Sequence, residues 1–131
     1  MIVLDASAAV ELLLQSPIGE RVADRALAAH ESVHAPHLLD VEVTQVVRRY
    51  TLAGELTAQR AEEALQDLVD LPFIRHAHDD LIARIWSLRE SLTAYDAVYV
   101  ALAEALDAPL ITRDGKLARA HGHAASIELF E

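Results

Sequence analysis

Apolar residues along the chain keep two rhythms that take turns. Ile2-Val3-Leu4 is a short unbroken apolar run, the pattern of a strand buried on both faces of a parallel sheet. Helical spacing begins at about Ser7 and lasts to Leu14, ending near Ser16-Pro17, and a second helical stretch covers residues 19–29. Ser32-Val33-His34-Ala35 reads as a short strand cut off by Pro36. Leu38, Leu39, Val41, Val43, Val46, Val47 and Tyr50 then support a long helix that stops near Gly54. Thr57 caps another helix, with Leu65, Leu68, Val69 and Leu71 on its apolar side and Pro72 as its stop. Phe73-Ile74-Arg75-His76 is a strand, and residues 79–90 and 93–106 are two further helices. Pro109-Leu110-Ile111-Thr112 is a buried strand, Asp114-Gly115 turns into a short helix ending near Gly122, and residues 126–130 close the chain as an edge strand.

Strands separated by helical segments imply βαβ units, hence an α/β domain whose mostly parallel sheet of four to five strands is covered by helices. No repeat, low-complexity tract or Pro/Gly-rich linker divides the chain, so residues 1–131 form one domain. Ligands of such sheets gather beyond the carboxyl ends of the strands.

Composition narrows the chemistry. The absence of cysteine removes disulfides, thiolate metal sites and Cys nucleophiles, and it fits a cytoplasmic protein. The apolar start is interrupted by Asp5 and Glu11, and no stretch approaches the ~20 apolar residues of a membrane helix, so neither secretion nor membrane insertion is expected. A net charge of −10, with Lys116 the single lysine, argues against a broad phosphate-neutralising surface. A nucleic-acid function then needs positive charge from a divalent metal, a local arginine cluster or a basic partner.

Four acids stand in apolar company. Asp5 ends the first strand, where helix capping is its ordinary role, although Ser7 could cap equally well. Glu42 lines up with Leu38 and Val46 on an otherwise apolar helix column, unless it is a boundary residue paired with Arg48 or Arg49. Asp96 follows Thr93 at capping-box spacing and sits in a first helical turn, whose dipole also suits a metal ligand. Asp114 precedes Gly115 just after a buried strand, the usual setting of a turn. Two acids at strand carboxyl ends and two on inward helix columns converge over one edge of the sheet, where capping cannot account for all four. Carboxylates so gathered repel one another unless a cation sits among them. With oxygen donors only, the fitting ion is Mg²⁺ or Mn²⁺, and the fitting reaction is metal-assisted phosphodiester hydrolysis.

MIVLDASAAV, PHLLDVEVTQVVRR, YDAVYVALAEAL and PLITRDGKLARA resemble, in order and spacing, the four acidic motifs of PIN-domain ribonucleases, and most closely the VapC-type toxins of bacterial toxin–antitoxin pairs. The resemblance spans the chain. It implies a three-layer α/β/α fold, Mg²⁺- or Mn²⁺-dependent endoribonuclease activity on RNA, a homodimer, and inhibition by a small VapB-type antitoxin. The family's catalytic acids carry over to Asp5, Glu42, Asp96 and Asp114, with Asp5 and Asp96 as the more regular direct metal ligands. Ser7 and Thr112 match hydroxyl-bearing neighbours of the metal site in supporting roles. Two other readings stand beside this one: a silent binding module of the same fold, and a phosphohydrolase with Asp5 as nucleophile. The latter folds want a second acid where this chain has Ser7.

Other features have plainer accounts. Asp40 projects from a different side of the helix than Glu42 and reads as a capping or surface acid. His76-Ala77-His78 and His121-Gly122-His123 lack the further converging ligands that zinc needs. Arg113, Lys116 and Arg119 form either a solvated helix face or a set of RNA phosphate contacts beside Asp114. Trp86 reads as a packing residue, on a helix that would also suit a dimer or antitoxin surface.

Overall fold

The computed structural model describes all 131 residues. Five strands make one parallel sheet: β1 (Ile2–Leu4), β2 (Val33–Pro36), β3 (Ile74–His76), β4 (Leu110–Thr112) and β5 (Ile127–Leu129), in the order β3-β2-β1-β4-β5. The three inner strands, β2, β1 and β4, are fully buried, because a parallel sheet covered by helices presents no wet face. Val3 faces His34 on one side and Leu110 on the other, and β5 forms an edge as its sequence suggested.

Seven helices complete the fold: α1 (Ala6–Leu14), α2 (Pro17–Ala26), α3 (Leu38–Leu52), α4 (Ala58–Asp70), α5 (Ile82–Ser87), α6 (Ala94–Leu106) and α7 (Gly115–Arg119). Helices α1 to α4 pack on one another in one layer, and α5 pairs with α6 in the other, which gives the three-layer α/β/α arrangement. Small residues let these layers close. Ala8 and Ala9 of α1, and Ala97, Ala101 and Ala103 of α6, are buried, and α6 is buried without a break from Ala97 to Ala103.

Helix boundaries follow capping chemistry more than apolar spacing. Asp5, not Ser7, caps α1, accepting from the Ala8 amide at 3.0 Å, and Ser7 lies inside the first turn. Helix α2 starts two residues earlier than its apolar pattern indicated, with Ser16 as cap and Pro17 in the first turn, where a missing N–H costs nothing. Gly19 is required there, since a Cβ would meet the Glu11 carbonyl oxygen of α1 at 1.9 Å. The expected strand at 32–35 takes in Pro36, which pairs with His76 at the strand's end.

The long helix expected over residues 79–90 is not formed. A single 3-10 turn (Asp79–Leu81) leads into the six-residue α5, after which Leu88 to Leu92 is a run of tight turns. Thr93 must take extended backbone to cap α6, at ψ 159, so the chain has to unwind before it, and i→i−3 bonds such as Arg89 N–H to the Trp86 carbonyl tighten that exit. Trp86 is 67% exposed in consequence, with the Arg89 guanidinium 4.6 Å over its ring, so the packing role read from its spacing does not hold.

Candidate active site

Topology decides which helix ends face which sheet edge. Strands β2 and β4 lead into α3 and α7, and α6 runs back to feed β4, so the N-terminal turns of α3, α6 and α7 all lie at the carboxyl edge of the sheet. The sheet is also built outward in opposite directions from β1, first to β2 and β3 on one side and then to β4 and β5 on the other, which makes β1/β4 a switch point of the topology. That carboxyl edge carries Asp5 after β1, Glu42 in the second turn of α3, Asp96 in the first turn of α6 and Asp114 after β4.

Asp5 is the most enclosed of the four, at 6% exposure. Its Oδ1 accepts from the Ser7 hydroxyl at 2.6 Å and from the Ala8 amide, and its Oδ2 accepts from the Thr112 hydroxyl. Thr112 is wholly buried and its hydroxyl oxygen accepts from the Asp114 amide at 2.9 Å, while the Ser7 hydroxyl oxygen accepts from the Arg113 amide at 2.9 Å. The two hydroxyls thus stitch β1, α1 and the end of β4 together around one carboxylate. Burial nonetheless dominates and pushes the Asp5 pKa up, against the lowering effect of Ser7, Thr112 and the Ala8 amide, with Asp96 adding repulsion.

Glu42 and Asp96 are half-buried, and each has a pKa raised first by desolvation. Glu42 is raised further by the charges of Asp96 and Asp5, and Asp96 by that of Asp114. Glu42 makes no ion pair with Arg48 or Arg49; its partner is the Tyr99 hydroxyl, which donates to Oε1 at 2.5 Å. Asp114 caps α7, its Oδ1 accepting from the Lys116 amide at 2.8 Å. Thr93 caps α6 by accepting from the Asp96 amide at 3.2 Å, so the capping residue and the candidate ligand coexist in that turn.

The four acids therefore act on one another electrostatically, although no three Asp, Glu or His side chains stand close enough together to enclose a metal ion. A hard cation asks for less, because Mg²⁺ keeps several waters and is held by one or two carboxylates. Carboxylate oxygens that are buried in Asp5 and half-buried in Glu42, Asp96 and Asp114 fit such an ion, and Asp5 feels the charge of Asp96 across the site.

Other expectations resolve individually. Asp40 is engaged by Arg75 through bonds of 2.9 to 3.1 Å, away from Glu42, so it is a paired surface acid. Arg113 is drawn off toward α1: its Nη1 donates to Glu11 at 2.6 Å and its Nε to the Phe130 carbonyl at 3.4 Å. That leaves Lys116 and Arg119 as the exposed cations beside Asp114. His76 bonds His34 of the neighbouring strand at 2.8 Å, and His34 in turn bonds Ser32. Sequence spacing did not reveal Tyr99 as the partner of Glu42. The available signal was its position three residues after Asp96, which puts both on one face of α6.

Comparisons with known proteins bear on the fold and the family. A PIN domain model matches residues 2–122. The chain is 45% identical over 129 residues to Ribonuclease VapC12 of Mycobacterium tuberculosis, covering 98% of each chain, and 43% identical to Ribonuclease VapC1 of the same organism, covering 97% of this chain and 96% of that one. The crystal structure of VapBC2 from Rickettsia felis bound to a promoter DNA fragment superposes with a TM-score of 0.72 over the full length of both chains, at 15% identity, a likeness of fold. A match that spans the domain in sequence and returns the same sheet and helix layers makes this chain a member of the PIN-domain family, within the VapC group of ribonucleases.

Proposed function

We propose that this protein is an Mg²⁺- or Mn²⁺-dependent endoribonuclease, the toxin of a toxin–antitoxin pair, with Asp5, Glu42, Asp96 and Asp114 as its acidic site. The observation that supports it most is the convergence of these four carboxylates on one sheet edge, each carried by a different element, with Asp5, Glu42 and Asp96 each feeling a neighbouring acid's charge. Four unrelated capping roles would leave that convergence without a purpose. The VapC names of its relatives support RNA as the substrate and a VapB-type antitoxin as the partner. A homodimer acting in the cytoplasm belongs to the same proposal, as the family resemblance implies it.

A divalent ion held by Asp5 and Asp96 would neutralise phosphate charge and lower the pKa of a bound water. The chain's own contribution is preparation. Ser7, Thr112 and the Ala8 amide hold the Asp5 carboxylate in one orientation before any ligand arrives. Glu42 supplies a carboxylate able to accept a proton from water, and burial raises its pKa above the ordinary carboxylate value, a direction that suits a general base. Lys116 and Arg119 offer the phosphate a local positive edge on an otherwise acidic molecule. An Asp5 nucleophile is disfavoured, because the second acid that such folds want two residues on is here Ser7.

The test is cleavage of a panel of single-stranded and structured RNAs by the purified protein. Cleavage should need Mg²⁺ or Mn²⁺ and vanish in Asp5→Asn and Asp96→Asn. Undiminished cleavage in excess EDTA would refute the metal-dependent reading.

A further inference from the structure

Glu42 lies half-buried on α3, and the only side chain that bonds its carboxylate is the phenol of Tyr99, from a helix of the opposite layer. Tyr99 is 2% exposed, so its ring is fixed by the core, and its hydroxyl emerges where the acids meet. A buried tyrosine hydroxyl requires a partner, and a backbone carbonyl would have served packing alone. Here the acceptor is a carboxylate that feels the charges of both Asp5 and Asp96. Glutamate has three rotatable side-chain bonds and without a tether would swing away from that repulsion toward solvent. The bond to Oε1 prevents this and leaves Oε2 free.

We propose that Tyr99 is a positioning residue of the acidic site: its core-anchored hydroxyl grips Glu42 Oε1 and keeps that carboxylate beside Asp5 and Asp96, joining α3 to α6 at the point of chemistry. The proposal rests on the metal-dependent reading given above. Because Tyr99 stands three residues after Asp96 on α6, one rigid helix face presents both the acid and the group that steers a second acid. Tyr99→Phe removes the grip while retaining the ring.

The experiment pairs RNA cleavage with Mn²⁺ binding, the latter followed by the free-ion electron paramagnetic resonance signal, for wild type, Tyr99→Phe, Glu42→Ala and the double variant. Loss of a group that orients a metal-site carboxylate costs about 10- to 100-fold, so Tyr99→Phe should lower kcat or weaken Mn²⁺ affinity by that factor, with KM for RNA changed by less than about threefold. On the Glu42→Ala background the same substitution should have no further effect on either quantity, since no carboxylate remains to be held. Wild-type Mn²⁺ affinity and kcat in Tyr99→Phe would overturn the proposal. So would an undiminished loss on the Glu42→Ala background, which would mark Tyr99 as a structural strut. If wild type binds Mn²⁺ but cleaves no RNA, the ribonuclease reading falls, and the Mn²⁺ cycle still decides the role of Tyr99.

Discussion

Thr112 shows how much one hydroxyl can carry. It is wholly buried, donates to Asp5 and accepts from the Asp114 amide, so Thr112→Val would preserve shape while stranding a carboxylate oxygen and an N–H. Leaving a buried polar group unpaired costs about 1–3 kcal/mol, and urea unfolding should show a loss of that size. No loss would mean that the hydroxyl pairing does not stabilise the site. The acids themselves work the other way. Asp5, Glu42 and Asp96 have pKa values above their ordinary 3.8, 4.5 and 3.8, so the folded state holds their protons more tightly than the unfolded chain does. Their contribution to stability is full below those ordinary values and is lost as pH rises through the raised ones. Glu104 and Glu31, lowered chiefly by Arg84 and Arg25, have the opposite sign and lose their contribution only below 4.5, as pH falls through their depressed values. In EDTA, denaturant-derived stability should therefore decline as pH is raised above about 4.5, and Asp96→Asn should flatten the decline. A curve that Asp96→Asn leaves unchanged would contradict the assigned repulsion.

At the scale of elements, the contact between α1 and α2 is set by Gly19. With the Glu11 carbonyl 1.9 Å from where a Cβ would stand, Gly19→Ala must push the helices apart. Overpacking of this kind costs about 1–3 kcal/mol, readable in a thermal melt. Exposed Trp86 offers the contrast: Trp86→Ala should change the stability of the isolated chain by no more than about 0.5 kcal/mol. Which elements were legible follows from the same physics. β1 and β4 showed themselves as short buried runs, Ile2-Val3-Leu4 and Leu110-Ile111-Thr112, and the long helices as 3.6-residue stripes with Thr57 or Thr93 before them, because those signals are local. Residues 79–90 misled because Leu81, Ile82, Ile85, Trp86 and Leu88 keep helical spacing, whereas the cap required at Thr93 interrupts the helix. Asp5, Asp96 and Asp114 could be placed from sequence, since each follows a strand or opens a helix. The partners of Glu42 and Arg113 could not, as Tyr99 lies 57 residues from the one and Glu11 102 residues from the other.

For the whole molecule, a net charge of −10 and a sheet edge carrying four acids describe a surface that repels polyanions. On the proposed metal-dependent reading, stability and function are coupled: an ion that binds only the folded chain, at 100 times its dissociation constant, would stabilise it by about 2.7 kcal/mol. The most direct test of a single shared metal site is Mn²⁺ titration of the metal-free protein beside Asp5→Asn, Asp96→Asn and, as a control, Asp40→Asn, whose carboxylate is engaged by Arg75. Saturable binding by wild type and Asp40→Asn that is lost in both site variants is the predicted result. Equal binding by all four proteins, or none by wild type, would contradict it.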